Sequence, residues 1–357
     1  MAKIRNIFSS TSWILAIFQF LTLMVFESDA KVPAILCLET QPWTQATTTR
    51  SPPLPGAILS LMAVISPAVS RPGGFSNGRI TTDFISEEFG LKPTIPAYLD
   101  PAYSISDFAT GVTFASAGSG YDNATSDVLD VIALWKELEY YKEYQKKLKA
   151  YLGEQKANER ISEALHMTSL GTNDFLENYY AFPRRSSSRY NIEQYQDFLV
   201  GIAKNFIGEL YGLGARKISL GGLPPMGCLP LERTVNIFGR NDCVERYNVI
   251  AQQFNGKLEK LTVTLNKEHS GIRVVFSNPY DALMNIIKQP SSFGFDVASV
   301  ACCATGMFEM GYACNRNDMY TCTDASKYVF WDSFHPSEKT SRIIAQYVVK
   351  KALAEFL

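Results

Sequence analysis

Short apolar segments alternate with amphipathic helical segments along most of this sequence. The predicted strands lie in 31–38, 111–120, 163–170, 217–220 and 272–276, and the predicted helices in 81–89, 128–152, 194–213, 247–265 and after Pro336. Strands that alternate with helices form parallel sheets, because each crossover helix returns the chain to the same edge. The sequence therefore predicts an α/β fold with a parallel sheet covered on both faces. Sites in such folds lie at the carboxyl ends of the strands.

The first 30 residues are organised like a secretory signal peptide. Lys3 and Arg5 provide the charged start, 13–26 form an apolar run, and Ser28-Asp29-Ala30 precedes a cut ahead of Lys31. No second long apolar run follows, so we expect a secreted, extracellular protein without an integral membrane segment after signal removal. The net charge of −1 offers no basic surface for nucleic acid, so we expect no nucleic-acid partner.

Glycosylation and cysteine patterns agree with secretion. Asn123-Ala124-Thr125 is an N-glycosylation acceptor. Six cysteines cluster late and suggest three disulfides whose connectivity the spacing leaves open: Cys228, Cys243, Cys302, Cys303, Cys314 and Cys322. A zinc site is a weaker interpretation, because no Cys-x-x-Cys pair or neighbouring His completes a tetrahedral set. The seventh cysteine, Cys37, lies in an unusual earlier stretch.

Asp332 and His335 are three residues apart beside Pro336, a spacing that lets the two side chains meet. The carboxylate would take the inner N–H of the imidazole, and the outer nitrogen could then act as a general base. The alternative is that Asp332 caps the helix that begins at Pro336. The chain has three histidines. His166 lies inside an apolar strand and His269 lies in a polar turn, which leaves His335 as the candidate base.

Two further loops could stabilise a developing oxyanion. Asn173 follows a predicted strand in Gly-Thr-Asn-Asp, where its amide could donate to the oxygen, although an ordinary Asn-Asp turn is the alternative. Gly118 and Gly120 could bring a backbone N–H close to the same oxygen because they have no side chain.

Four blocks of sequence, in order, resemble the plant-type GDSL esterase/lipase family of the SGNH hydrolase superfamily. They start at Gly111, Gly171, Gly221 and Asp332, and the similarity runs from about Phe75 to the C-terminus. The resemblance implies a flavodoxin-like three-layer α/β/α fold with a mostly parallel sheet of about five strands. It also implies hydrolysis of carboxylic esters without a cofactor or metal. His335 would be the base, Asp332 its orienting carboxylate, and Asn173 and Gly120 oxyanion-hole donors.

The family's nucleophile is the serine of a Gly-Asp-Ser block after the first strand, and this chain lacks it. The aligned positions hold Glu39-Thr40-Gln41, and Gln41 cannot attack an ester. Rescue by Ser116, Ser119 or Ser333 is not expected, since none occupies the strand-end position facing His335.

The composition and the codons of residues 36–72 indicate a frameshift. Charged residues almost vanish there, and a Pro/Thr-rich stretch interrupts the domain. A shifted reading frame takes the third base of each codon together with the first two bases of the next. Codons built in this way can restore the family block. Because Trp and Met have single codons, Trp43-Thr44 must then give Asp and Met62-Ala63 must give Gly, both of which are family residues.

These observations predict a signal peptide at 1–30 and a single hydrolase domain at 31–357, with 36–72 aberrant. The predicted function is a secreted esterase/lipase that uses a Ser-Asp-His mechanism on a small-molecule ester or lipid, impaired by loss of the serine. The alternative is a secreted pseudoenzyme that binds acyl or glycan ligands. A metal-dependent hydrolase would require a ligand cluster that the sequence does not contain.

Overall fold

The structure is a computed structural model that describes residues 32–39, 76–181, 186–311, 314 and 319–357. The predicted signal peptide, Gln41 and nearly all of the aberrant stretch lie outside these residues.

A central sheet of five parallel strands forms the core of the protein. The strands are β1 (Ile35–Glu39), β2 (Gly111–Thr113), β3 (Leu165–Ser169), β4 (Lys217–Gly221) and β5 (Arg273–Ser277), in the order β2-β1-β3-β4-β5. The parallel register pairs Leu36 with both Val112 and His166. This order is flavodoxin-like, and its topological switch point lies between β1 and β3. The predicted mostly parallel sheet is confirmed.

Helices cover the sheet on both faces. Their bounds are α1 (Thr81–Glu88), α2 (Ile105–Phe108), α3 (Asn123–Leu129), α4 (Leu134–Leu152), α5 (Glu154–Glu163), α6 (Ile192–Gly212), α7 (Pro230–Val235), α8 (Glu245–Glu268), α9 (Pro279–Lys288) and α10 (Glu338–Val348). Helices α1 and α10 pack together on the face that carries Met167, Ser219 and Ser277. Helix α4 lies on the opposite face, where Tyr141 meets His166, and α6 packs against α8. The arrangement is the expected three-layer α/β/α fold.

One predicted helix and one predicted strand were wrong in their bounds. The segment 128–152 is not one helix: α3 ends where Asp130 adopts a left-handed backbone with φ 50°, and α4 begins at Leu134. Trp135 is 58% exposed, because the buried face of α4 runs through Leu138, Tyr141 and Leu148. Glu163 ends helix α5 instead of beginning a strand. That helix was missed because it buries little besides Ala157 and Ile161.

A small second sheet and three disulfides shape the C-terminal third. Strands β6 (Val297–Ala301) and β7 (Tyr328–Phe330) pair in parallel. The disulfides are Cys228–Cys243, Cys302–Cys322 and Cys303–Cys314, which confirms their expected number and resolves the pairing. Cys37 is buried within β1. Among the described residues, helices that combine the length and the apolar character needed to cross a bilayer are absent.

Candidate active site

A tight turn after β7 carries Asp332 and His335. The chain reverses so that the Trp331 N–H donates to the His335 carbonyl at 2.8 Å, and Phe330 bridges antiparallel to Pro336. The Ser337 N–H then donates to the Val329 carbonyl at 2.9 Å. These main-chain bonds close the turn at its base and hold the two side chains on its tip.

The Asp332 carboxylate binds the imidazole of His335 directly. Nδ1 of His335 lies 2.7 Å from each carboxylate oxygen, so an ionised carboxylate requires that Nδ1 carry the proton. Backbone N–H groups of Phe334 and His335 donate to Oδ1 at 2.9 and 2.6 Å. Asp332 is fully buried and His335 is 4% exposed. Burial and three ordered donors make this a charge-assisted contact with little freedom to rotate.

The helix-capping alternative for Asp332 is wrong. Helix α10 begins at Glu338, and its N-cap is Ser337, whose side chain accepts from the Thr340 N–H. The carboxylate of Asp332 is instead occupied by its own turn and by His335. The start of α10 is also tied to the loop before α1, because the Glu338 N–H donates to the side chain of Asn77 at 2.8 Å.

The other two histidines lie in the central sheet and at the end of helix α8. His166 is fully buried in β3, with Nε2 2.8 Å from the Tyr141 hydroxyl and Nδ1 3.2 Å from the Ala164 carbonyl. Burial lowers the pKa of His166 to about 4, so this ring is neutral at physiological pH. His269 ends α8 and packs against the ring of Tyr211 with centroids 4.5 Å apart.

Asn173 and Gly120 lie together at the carboxyl ends of β3 and β2. Nδ2 of Asn173 donates to the carbonyl of Ser119 at 2.9 Å, which joins the two loops. A Cβ atom at position 120 would lie 2.4 Å from an oxygen of Asp174, so the position requires glycine. Gly118, in the same turn, has φ 85°. The structure therefore brings together the two residues that sequence resemblance selected for an oxyanion hole.

A buried polar network that sequence reasoning missed holds this turn. The Asp174 carboxylate accepts the backbone N–H groups of Tyr121 and Asp122 at 2.9 and 3.0 Å and the Thr125 hydroxyl at 2.6 Å. Asn178 donates to Thr125 and to the side chain of Asp122, both at 3.1 Å. Asp174 and Asn178 both belong to a π-helical segment, Asp174–Ala181. The feature of the sequence that could have indicated this network is the acidic residue directly after Asn173.

Burial shifts the pKa of two carboxyl groups in the π-helical segment. Burial raises the pKa of Asp174 to about 7. Burial, reinforced by the charge of Asp174, raises the pKa of Glu177 to about 8. Oε2 of Glu177 is buried and has no hydrogen-bond partner in the described part of the chain.

This arrangement predicts that the protein loses stability as the pH rises through neutrality. In the unfolded chain both groups titrate near pH 4, so between about pH 4 and 8 the folded state binds protons that the unfolded state has released. The free energy of unfolding should therefore fall with pH, by no more than about 1.4 kcal/mol per pH unit for each group. Glu177→Gln should flatten the fall and raise stability at pH 8. Urea denaturation between pH 5 and 8 measures this.

Glu259→Gln is the matched control, because Glu259 is exposed on α8. It should retain the pH dependence of the unmodified chain. If Glu177→Gln and the unmodified chain unfold with parallel pH profiles, Glu177 is not held protonated in the folded state.

The three serines considered as substitutes for a nucleophile are engaged or enclosed. Oγ of Ser116 accepts the Ile132 N–H at 3.1 Å, and Oγ of Ser119 donates to Glu137 at 3.2 Å. Ser333 is fully buried, and its backbone N–H and carbonyl are bonded to Glu309 and Leu231. Among the residues that the structure describes, groups of three or more side chains suited to a metal ion are absent.

Each loop of the candidate site follows a strand of the parallel sheet or packs against such a loop. Gly120 follows β2, Asn173 follows β3, and the Ser333 carbonyl accepts the N–H of Leu231 in the segment after β4. In a flavodoxin-like sheet, the crevice beyond β1 and β3 is where ligands bind. The buried Asp–His pair can provide proton transfer, and the amide–glycine pair at this edge can provide oxyanion stabilisation.

The chain is similar to a known protein family and to several plant proteins. The family described as GDSL-like lipase/acylhydrolase matches residues 56–348. GDSL esterase/lipase At2g04570 of Arabidopsis thaliana is 65% identical over 285 residues, which cover 80% of this chain and 81% of that protein. GDSL esterase/lipase At4g26790 is 60% identical over 284 residues, with 80% and 81% covered. GDSL esterase/lipase At2g42990 is 50% identical over 330 residues, with 92% and 94% covered. Both are also Arabidopsis proteins.

Proposed function

Because the chain belongs to the GDSL-like lipase/acylhydrolase family, we propose that it is a secreted esterase/lipase whose printed form lacks its nucleophile. The family is one of carboxylic ester hydrolases that act on small-molecule esters. The observation that carries the residue assignment is the buried contact of 2.7 Å between His335 Nδ1 and Asp332. It supports His335 as the general base and Asp332 as the residue that orients it.

In the proposed reaction, Nε2 of His335 removes a proton from a serine hydroxyl as that oxygen attacks the ester carbonyl carbon. His335 then donates this proton to the departing alkoxide, and an acyl-enzyme remains. A water molecule, deprotonated by the same nitrogen, then attacks the acyl carbon. The bond to the serine oxygen breaks, His335 returns the proton to that oxygen, and the carboxylic acid is released. The backbone N–H of Gly120 and the amide of Asn173 stabilise the oxyanion, and each lowers the barrier by about 3 kcal/mol.

The nucleophile is missing at position 41, where the sequence has Gln. We propose a frameshift that begins near residue 36, within the bounds 36–72 taken from the sequence. The family match begins at residue 56, after the positions of the Gly-Asp-Ser block. The two relatives above 55% identity leave about a fifth of this chain unaligned, whereas the relative at 50% identity aligns over 92% of it. We propose that a corrected reading contains one hydrolase domain over 31–357 after a signal peptide at 1–30.

Secretion and glycosylation belong to the same proposal. Three disulfides support an oxidising compartment. The side chain of Asn123 is exposed at the first residue of α3, whereas Thr125 of the same acceptor is buried against Asp174. A glycan at Asn123 would therefore be added before this loop folds.

The second candidate is a secreted pseudoenzyme that binds acyl or glycan ligands without turnover, which Gln41 favours. Labelling with a fluorophosphonate, together with sequencing of the transcript across codons 30–80, separates the two. We expect the transcript to encode Gly-Asp-Ser and the protein made from it to be labelled at that serine. A transcript that encodes the printed residues, with an unlabelled protein, would establish the pseudoenzyme instead.

A further inference from the structure

The carboxylate of Asp332 receives a backbone donor from outside its own turn. The Gly311 N–H donates to Oδ2 at 2.9 Å, and this contact is buried. The two donors within the turn, Phe334 and His335, both bind Oδ1. The Gly311 N–H therefore binds the carboxylate oxygen that receives no backbone N–H from the turn. This contact opposes rotation of the carboxylate about the Cβ–Cγ bond.

The loop that contains Gly311 is fastened to the backbone on both sides of Asp332. Before Asp332, the N–H groups of Cys302 and Cys303 donate to the carbonyls of Phe330 and Trp331 at 3.1 and 2.8 Å. After Asp332, the Ser333 N–H donates to the Glu309 carbonyl at 2.9 Å. The loop and the turn thus form one bonded unit.

A disulfide fixes the position of Gly311 within this loop. Cys303 is bonded to Cys314, three residues after Gly311, and the Cys314 N–H donates to the Gly311 carbonyl at 3.0 Å. Cys302, Cys303 and Cys314 pack with Trp331 in a small buried cluster separate from the main core. Gly311 has φ 55°, a left-handed conformation that aims its N–H at the carboxylate and that β-branched residues avoid.

We infer that Gly311, fixed by the Cys303–Cys314 disulfide, is a positioning residue for the Asp332–His335 pair. This inference rests on the proposed function, since the orientation of Asp332 matters to the reaction only if His335 is the base. The disulfide joins cysteines 11 residues apart and packs with Trp331, the residue directly before Asp332.

The test is proton NMR of the His335 Nδ1–H in the chain as printed, which needs no ester hydrolysis. The signal is assigned by its loss in His335→Gln. In Cys303→Ser/Cys314→Ser, exchange of this proton with water should accelerate about tenfold or more, because one hydrogen bond to a charged group is lost. Cys228→Ser/Cys243→Ser is the matched control, since its disulfide encloses a similar separation of 15 residues outside this loop. It should change the rate less than twofold.

The His166 ring signals serve as an internal reference, because His166 is buried in the central sheet. They should be unchanged in both double variants. If the cysteine variant folds poorly, Gly311→Val keeps all three disulfides, displaces the N–H and should give the same acceleration. Unchanged exchange in a folded variant, or equal acceleration in the control, overturns the inference. Failure of the proposed function would appear separately, as absence of fluorophosphonate labelling in the corrected chain.

Discussion

A chain with the Gly-Asp-Ser reading restored across residues 36–72 should hydrolyse p-nitrophenyl esters at least about 10⁴-fold faster than the printed chain. The printed chain has Gln41 where the attacking serine is expected, and an amide side chain cannot form an acyl-enzyme. The printed chain should therefore keep only the weak catalysis that the remaining groups provide.

The comparison uses initial rates for both chains at the same pH, with a third chain as control. That control has the restored reading but alanine at the nucleophile position, and it should return to the rate of the printed chain. The proposal fails if the printed chain turns over substrate robustly and His335→Ala abolishes that turnover, because another nucleophile would then serve the same base.

In the restored chain, Asp332→Asn should lower kcat by about 10⁴-fold with little change in KM. The amide keeps the volume of the carboxylate, but it can present an N–H to Nδ1, which places the imidazole in the wrong tautomer for accepting a proton at Nε2. The contacts of 2.7 Å to both oxygens show how directly this carboxylate determines the state of the ring. His335→Gln should cost at least as much, because the proposed base is then lost.

Asp324→Asn is the matched control for Asp332→Asn. Asp324 also accepts a backbone N–H two residues later, from Ser326 at 2.9 Å, but it is exposed and lies in a separate turn. Its replacement should leave kcat within about twofold, as expected for an exposed residue away from the site. A loss smaller than about tenfold for Asp332→Asn would mean that His335 does not depend on this carboxylate for its orientation.

Local features of the sequence were sufficient to predict much of the fold. Alternating strands and helices predicted the parallel sheet, and its five strands lie close to the expected segments. The wrong predictions lie in segments where the local hydrophobic pattern does not match the packing of the folded chain. The break at Asp130 depends on a left-handed residue that an amphipathic pattern does not reveal, and α5 buries too few apolar residues for its period to stand out.

The candidate site was predictable in its short-range parts. Asp332 and His335 are three residues apart, so a turn suffices to join them, and the structure shows that contact. Gly120 and Asn173 were selected by resemblance, and they meet because β2 and β3 end at the same edge of the sheet. The sequence indicated Asp174 only as part of the Asn-Asp turn. Its hydrogen bonds could not be predicted, because its three donors come from a loop about fifty residues earlier.

By itself, the sequence determined the fold class, the choice of His335 among three histidines and the absence of serine at position 41. These depend on periodicity, composition and residue identity, which are local properties. Only the tertiary structure decided which cysteines pair, that Gly311 donates to Asp332, and that burial raises the pKa of Asp174 and of Glu177. Such contacts join residues distant in sequence, and their energies depend on exclusion of water by the packed chain, which no short stretch of sequence encodes.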